Sequence, residues 1–97
     1  MGTELVRVRV FVSGRVQGVA YRFFAEKYAN ALGITGWVRN LPDGRVEVLA
    51  EGPGAGVEAF LERLREGPRL ARVDGFDVRA ERATGEYTGF RVVFLSH

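Results

Sequence analysis

A chain of 97 residues, 46% of them hydrophobic, is expected to form a single domain over 1–97, and its lack of cysteine removes disulfides, thiolate nucleophiles and sulfur-bound zinc together. The formal charge is only +2, yet thirteen arginines stand against one lysine; guanidinium forks suit an anionic ligand, while the mixed signs along the chain argue against a nucleic-acid-binding stripe. The lone histidine is the terminal His97, so a histidine metal site or a Ser/His/Asp triad has almost no material.

Residues 1–6 show no signal-peptide pattern, Val6 stands where a myristoylation signal needs Ser or Thr, and no apolar run reaches membrane-spanning length. The expectation is a cytoplasmic monomer with no membrane or nucleic-acid partner. Residues 5–12 then place valine at every second position, Val6, Val8, Val10 and Val12, the period of a strand with one buried face. Beyond a glycine-bearing loop, Tyr21, Phe24, Ala25, Tyr28 and Leu32 recur at helical spacing before Gly33, which predicts a helix over 21–32 with a glycine C-cap. Residues 35–40 read as a second strand, and Leu41-Pro42-Asp43-Gly44 as a turn, because Pro42 presets φ and Gly44 accepts a positive one.

Val46, Val48 and Ala50 alternate with Glu47, Leu49 and Glu51 in a hairpin partner strand, with the two glutamates expected as solvated charges. A linker at 54–59 leads to a second helical stripe, Val57, Phe60, Leu61 and Leu64, stopped by Gly67-Pro68. Extended segments at 76–80 and 90–95 complete the chain, and Trp37, Phe60, Phe76, Phe90 and Phe94 are expected in the core. The order β-α-β-β-α-β plus a short final strand predicts an α+β, ferredoxin-like split βαβ sandwich: an antiparallel sheet with both helices on one face. Strands one and two, joined by a helical crossover, run the same way, so the loop at Gly14 and the strand end at Asn40 should meet at one edge of the sheet.

That loop, Ser13-Gly14-Arg15-Val16-Gln17-Gly18-Val19-Ala20-Tyr21-Arg22, joins a strand to a helix. Its glycines allow successive N–H groups to converge, and the helix N-terminus adds positive potential there. Arg22 in the first turn opposes the helix dipole, a conflict that an anion between them would resolve. On spacing alone an ordinary tight connection fits equally well, and no Gly-Lys-Ser/Thr follows to make a Walker loop. Gly54-Ala55-Gly56-Val57-Glu58-Ala59 imitates a dinucleotide fingerprint, but it follows the third strand of a chain too short for a doubly wound domain. An RNA-recognition motif shares the predicted topology but needs exposed aromatics on its third strand, where Val46-Glu47-Val48-Leu49-Ala50-Glu51 has none.

The run from Val12 through Ser13-Gly14-Arg15-Val16-Gln17-Gly18-Val19-Ala20-Tyr21-Arg22 closely resembles the first signature of the acylphosphatases, Gly-x-Val-Gln-Gly-Val-x-Phe-Arg. Gly36-Trp37-Val38-Arg39-Asn40, with Gly44, Val46 and Gly52, resembles the second, and the likeness in length and element order covers nearly the whole chain. One departure is Tyr21, where the family usually has Phe; its hydroxyl needs a partner. The resemblance implies that the backbone of Arg15, Val16, Gln17, Gly18, Val19 and Ala20 cradles a phosphate, that Arg22 binds its oxygens and that Asn40 positions the attacking water. It implies hydrolysis of an acyl phosphate to a carboxylate and inorganic phosphate, with no metal and no cofactor. The rival reading is a non-enzymatic module that keeps the loop as a phosphate sensor, or a domain of the kind attached to a carbamoyl-transfer enzyme.

Overall fold

The structure is a computed structural model and describes residues 4–94. Its elements run β1 (Leu5–Arg15), α1 (Tyr21–Leu32), β2 (Thr35–Asn40), β3 (Val46–Pro53), α2 (Gly54–Glu66), β4 (Arg72–Glu81) and β5 (Phe90–Val93). The strands form one sheet in the order β4-β1-β3-β2-β5. The expected helix 21–32 and strand 35–40 agree with α1 and β2, whereas the expected extension of the last strand to Leu95 lies outside the described residues.

Strand alternation explains the core. Val8, Val10 and Val12 of β1, Val38 of β2, and Val46, Val48 and Ala50 of β3 are buried on one face, where they meet Tyr21, Ala25 and Ala29 of α1 and Val57, Phe60 and Leu64 of α2. β-Branched side chains suit such a pleated surface, and burying each valine contributes about 1.5–3 kcal/mol before conformational entropy is counted. Gly33 closes α1 in the left-handed conformation at φ 70°, as its position in the sequence predicts.

Three expectations change. β1 pairs antiparallel with β3 and β4, and β2 with β3, but β5 runs parallel to β2, so the sheet is mixed instead of wholly antiparallel. The cause is the route of the chain: it leaves β4 at one edge, and residues 82–89 carry it to the far edge, from where it must run back against the direction of β4. Residues 54–59 are not a linker, because α2 begins at Gly54. That helix end packs on Ile34 at ordinary distance, since a Cβ at Gly56 would stand 3.4 Å from Ile34 Cδ1.

The third change is on the face of the sheet opposite the helices. Glu47 and Glu51 are 3% and 2% exposed, not solvated. Glu47 accepts from Arg9 and Arg39, Arg9 also reaches Glu81, and Glu51 accepts from Arg7 Nε at 3.1 Å. Residues 82–89 close over this layer: the backbone N–H groups of Thr84 and Gly85 both donate to Glu51 at 2.9 Å, and Tyr87 lies against Arg7. Trp37 is half-buried here under Arg9 and Arg39, outside the helix-side core.

Candidate active site

The loop between β1 and α1 begins with a register shift at Ser13/Gly14, where Gly14 at φ 118° presses against the carbonyl of Arg72 so tightly that a Cβ would collide with it. Val16 and Val19 bury their side chains and anchor the loop from below. Between and after them, Gly18 and Ala20 take positive φ of 75° and 63°. Ala20 is the one non-glycine among the described residues to do so, a conformation that costs about 1–2 kcal/mol for an L-residue.

Ala20 also occupies the N-cap of α1, with no side-chain cap and no acidic residue in the first turn. Among the described residues, the backbone N–H groups of residues 17–21 have no acceptor. Unused donors at a helix N-terminus are the elementary requirement of an anion site.

Gln17 joins this loop to the second strand. Its Nε2 donates to the carbonyls of Leu41 at 2.8 Å and Arg45 at 2.9 Å, the two residues that close the turn after Asn40. The brace brings Asn40 to a cavity of about 230 Å³ lined by Val16, Gly18, Ala20, Tyr21, Arg22, Phe23 and Asn40. Of the residues singled out in the sequence, Val16, Gly18, Ala20, Arg22 and Asn40 therefore line one space. Arg15 is an exposed residue at the end of β1, Gln17 spends its side chain on the brace, and Val19 points into the core.

Asn40 Oδ1 is buried and has no hydrogen-bond partner among the described residues. Such an acceptor is expensive to leave unmatched, by about 1–3 kcal/mol. Arg22 is steadied from β5: its NH1 donates to the Val93 carbonyl at 3.3 Å, and its guanidinium lies 4.8 Å from the centre of the Phe94 ring. Phe94, expected in the core, is instead 67% exposed. The extra hydroxyl of Tyr21 has its partner, donating to the Leu64 carbonyl at 2.6 Å, and burial pushes the phenol well above its ordinary range, so it stays a neutral donor. Neither the Val93 support nor the Gln17 brace carries a signal in the sequence, since both depend on carbonyls far away along the chain.

Among the described residues these groups supply unpaired N–H donors, a guanidinium and one unpaired acceptor, the kinds of group that a tetrahedral oxyanion and an adjacent water require. Comparison with known proteins agrees. The Acylphosphatase family model matches residues 8–92. An acylphosphatase of Methylococcus capsulatus is 60% identical over 90% of this chain and 95% of its own length, and one of Thermus thermophilus is 54% identical over 89% and 97%. The crystal structure of acylphosphatase from Bacillus subtilis superposes with a TM-score of 0.88 at 38% identity, covering 91% of this chain and 98% of that one. Sequence and fold thus agree over nine-tenths of the chain: it belongs to the acylphosphatase family and hydrolyses acyl phosphates to a carboxylate and inorganic phosphate.

Proposed function

We propose that the backbone N–H groups of Arg15, Val16, Gln17, Gly18, Val19 and Ala20, together with Arg22, hold the phosphoryl group, and that Asn40 aims the water that attacks it. The observation that carries this reading is that Asn40 lines the loop cavity and that its buried Oδ1 has no hydrogen-bond partner among the described residues. An amide has no useful basicity, so its contribution is position: Oδ1 accepts a hydrogen bond from the water and fixes its line of approach. The leaving carboxylate has a conjugate acid of pKa roughly 4 and departs without a proton, so the reaction needs no general acid; we read it as metal-free because the loop amides and Arg22 supply the positive charge on the phosphoryl oxygens. The loop amides and Arg22 stabilise charge on the equatorial oxygens of a loose transition state without reorganising. A simple alkyl phosphate is a poor substrate on this reading, because its alkoxide must be protonated to leave.

The test separates the two side chains. With acetyl phosphate and a metal chelator present, the parent should remain active and inorganic phosphate should inhibit competitively. Arg22→Ala should weaken both phosphate binding and turnover about 10- to 100-fold, because a charge-assisted contact worth roughly 1.5–3 kcal/mol is lost in ground and transition states alike. Asn40→Ala should bind phosphate nearly as the parent does and lose about 10² to 10³ in turnover. Parental turnover in folded Asn40→Ala, or a defect confined to affinity, overturns the role given to Asn40. Activity abolished by chelation and restored by one divalent ion overturns the metal-free mechanism.

A further inference from the structure

Phe23 and Phe94 are 53% and 67% exposed, and their rings pack on each other with centroids 6.1 Å apart, tilted by 50°. Aromatic surface of this size is ordinarily withdrawn from water. Its position is specific: Phe23 lines the same cavity as Gly18, Arg22 and Asn40, and Phe94 lies against the Arg22 guanidinium. The cation and the apolar wall are therefore continuous. An acyl phosphate is built the same way, with an anionic phosphoryl head one bond from an acyl group. Once the head is seated in the loop, the acyl group has to lie at the rim of the cavity. Among the described residues that line it, Arg22 is the one charged side chain, and the phosphoryl head takes it, so a second anion on the acyl group would meet no further counter-charge from them.

We propose that Phe23 and Phe94 form the subsite for the acyl group, and that the enzyme prefers acyl phosphates with aromatic or other apolar acyl groups over small ones. The inference rests on the reading of the loop and Arg22 as the phosphate site. It assigns Phe23 and Phe94 to specificity, not to the chemical step. Apolar pockets discriminate about 10- to 200-fold for modest changes of substrate, and a half-open wall belongs at the low end.

The experiment compares kcat/KM for benzoyl phosphate and acetyl phosphate in the parent, Phe23→Ala and Phe23→Leu, with inhibition by inorganic phosphate measured in each. Because the two substrates differ in intrinsic reactivity, the change in their ratio is the readout. In Phe23→Ala the benzoyl-to-acetyl ratio should fall about tenfold, mainly through KM for benzoyl phosphate, with phosphate inhibition shifted less than twofold. Phe23→Leu, which keeps apolar area, should recover part of the ratio. An equal fall for both substrates, or an unchanged ratio, overturns the acyl subsite while competitive phosphate inhibition leaves the phosphate site standing. Loss of phosphate competition in the parent would instead remove the reading on which the inference rests.

Discussion

Glu51 is a buried residue and Asn40 a half-buried one with a buried Oδ1; they stand on adjacent strands of one sheet, and the fold treats their polar atoms in opposite ways. Glu51 takes three donors from distant parts of the chain, Arg7 and the N–H groups of Thr84 and Gly85. Asn40 Oδ1 takes none among the described residues. The open face of the sheet is thus a layer of polar groups completed from within the chain, whereas the loop end is a set of polar groups left incomplete. A satisfied network fixes architecture; an unsatisfied one at a cavity calls for something that arrives from outside. The glycines divide along the same line. Gly14 and Gly36 lie so close to neighbouring backbone that a Cβ would collide with the carbonyls of Arg72 and Leu49, while a Cβ on Gly18 would meet nothing within 4 Å.

The largest expected effect tests the completed half. Glu51→Ala should lower unfolding free energy by about 3 kcal/mol, the lower end for breaking a buried ion pair, because Arg7 keeps Thr84 and Glu86 as partners. Turnover of the folded variant should stay near the parent's. Denaturant unfolding alongside a rate measurement checks both, and a rate loss without a stability loss would merge the two regions that the comparison separates. The same residue sets a pH dependence. Burial alone would push the Glu51 carboxyl up, but the Thr84 N–H, the Arg7 side chain and the Gly85 N–H outweigh it and hold it below the usual range. Its folded value lies below its unfolded one, so the stability it contributes is present above the unfolded value and is lost as pH falls through the folded one. The stability difference between the parent and Glu51→Gln should therefore shrink on acidification; a constant difference from neutral to acid pH would show that the Glu51 charge is not what the clamp uses.

The sequence made the helix-side half of this molecule legible because it repeats: valines at period two and apolar residues at helical spacing each declare a buried face, and Gly33 declares a helix end. It made the loop and Asn40 legible through the two signatures, and their meeting followed from the handed crossover that makes β1 and β2 parallel. The open face was not legible. Glu47 and Glu51 alternate with apolar residues as solvated charges would, and only contacts set by long-range pairing, Arg9 and Arg39 on Glu47 and the crossing of residues 82–89 on Glu51, convert them into buried ones. Phe94 misled for the same reason, since its neighbourhood is Arg22 and Phe23, both remote in sequence.

A smaller effect is expected at Gly18. Its φ of 75° strains any L-residue by about 1–2 kcal/mol, and a β-branched one has the fewest ways to adapt. A Cβ there would meet nothing within 4 Å among the described residues, so Gly18→Val should relax the loop and leave the fold intact. Phosphate affinity should fall about tenfold, on the scale that the strain energy sets, with the unfolding midpoint little changed. Parental phosphate affinity in this variant would mean that the loop is a connector and nothing more.

The smallest effect sharpens the boundary between the two halves, because Tyr21 belongs to both. It lines the cavity, yet its hydroxyl is fully engaged inside the chain, donating to Leu64. Leu64 needs that donor for a reason written in the sequence. Its carbonyl would ordinarily accept from the N–H four residues on, but that residue is Pro68, which has none, and α2 ends at Glu66. Tyr21 thus caps the end of α2 from the start of α1 and ties the loop's helix to the rest of the core. Tyr21→Phe removes the hydroxyl and keeps the ring, so it should lower stability by about 1 kcal/mol, the usual net value of one hydrogen bond. Phosphate affinity and turnover should change less than twofold, since the hydroxyl is committed to Leu64 and not to the cavity. Unfolding curves and steady-state rates on the same preparation decide the matter. If Tyr21→Phe is as stable as the parent but loses turnover, the hydroxyl serves the reaction, and the division between a completed framework and an incomplete site fails at the residue where the two meet.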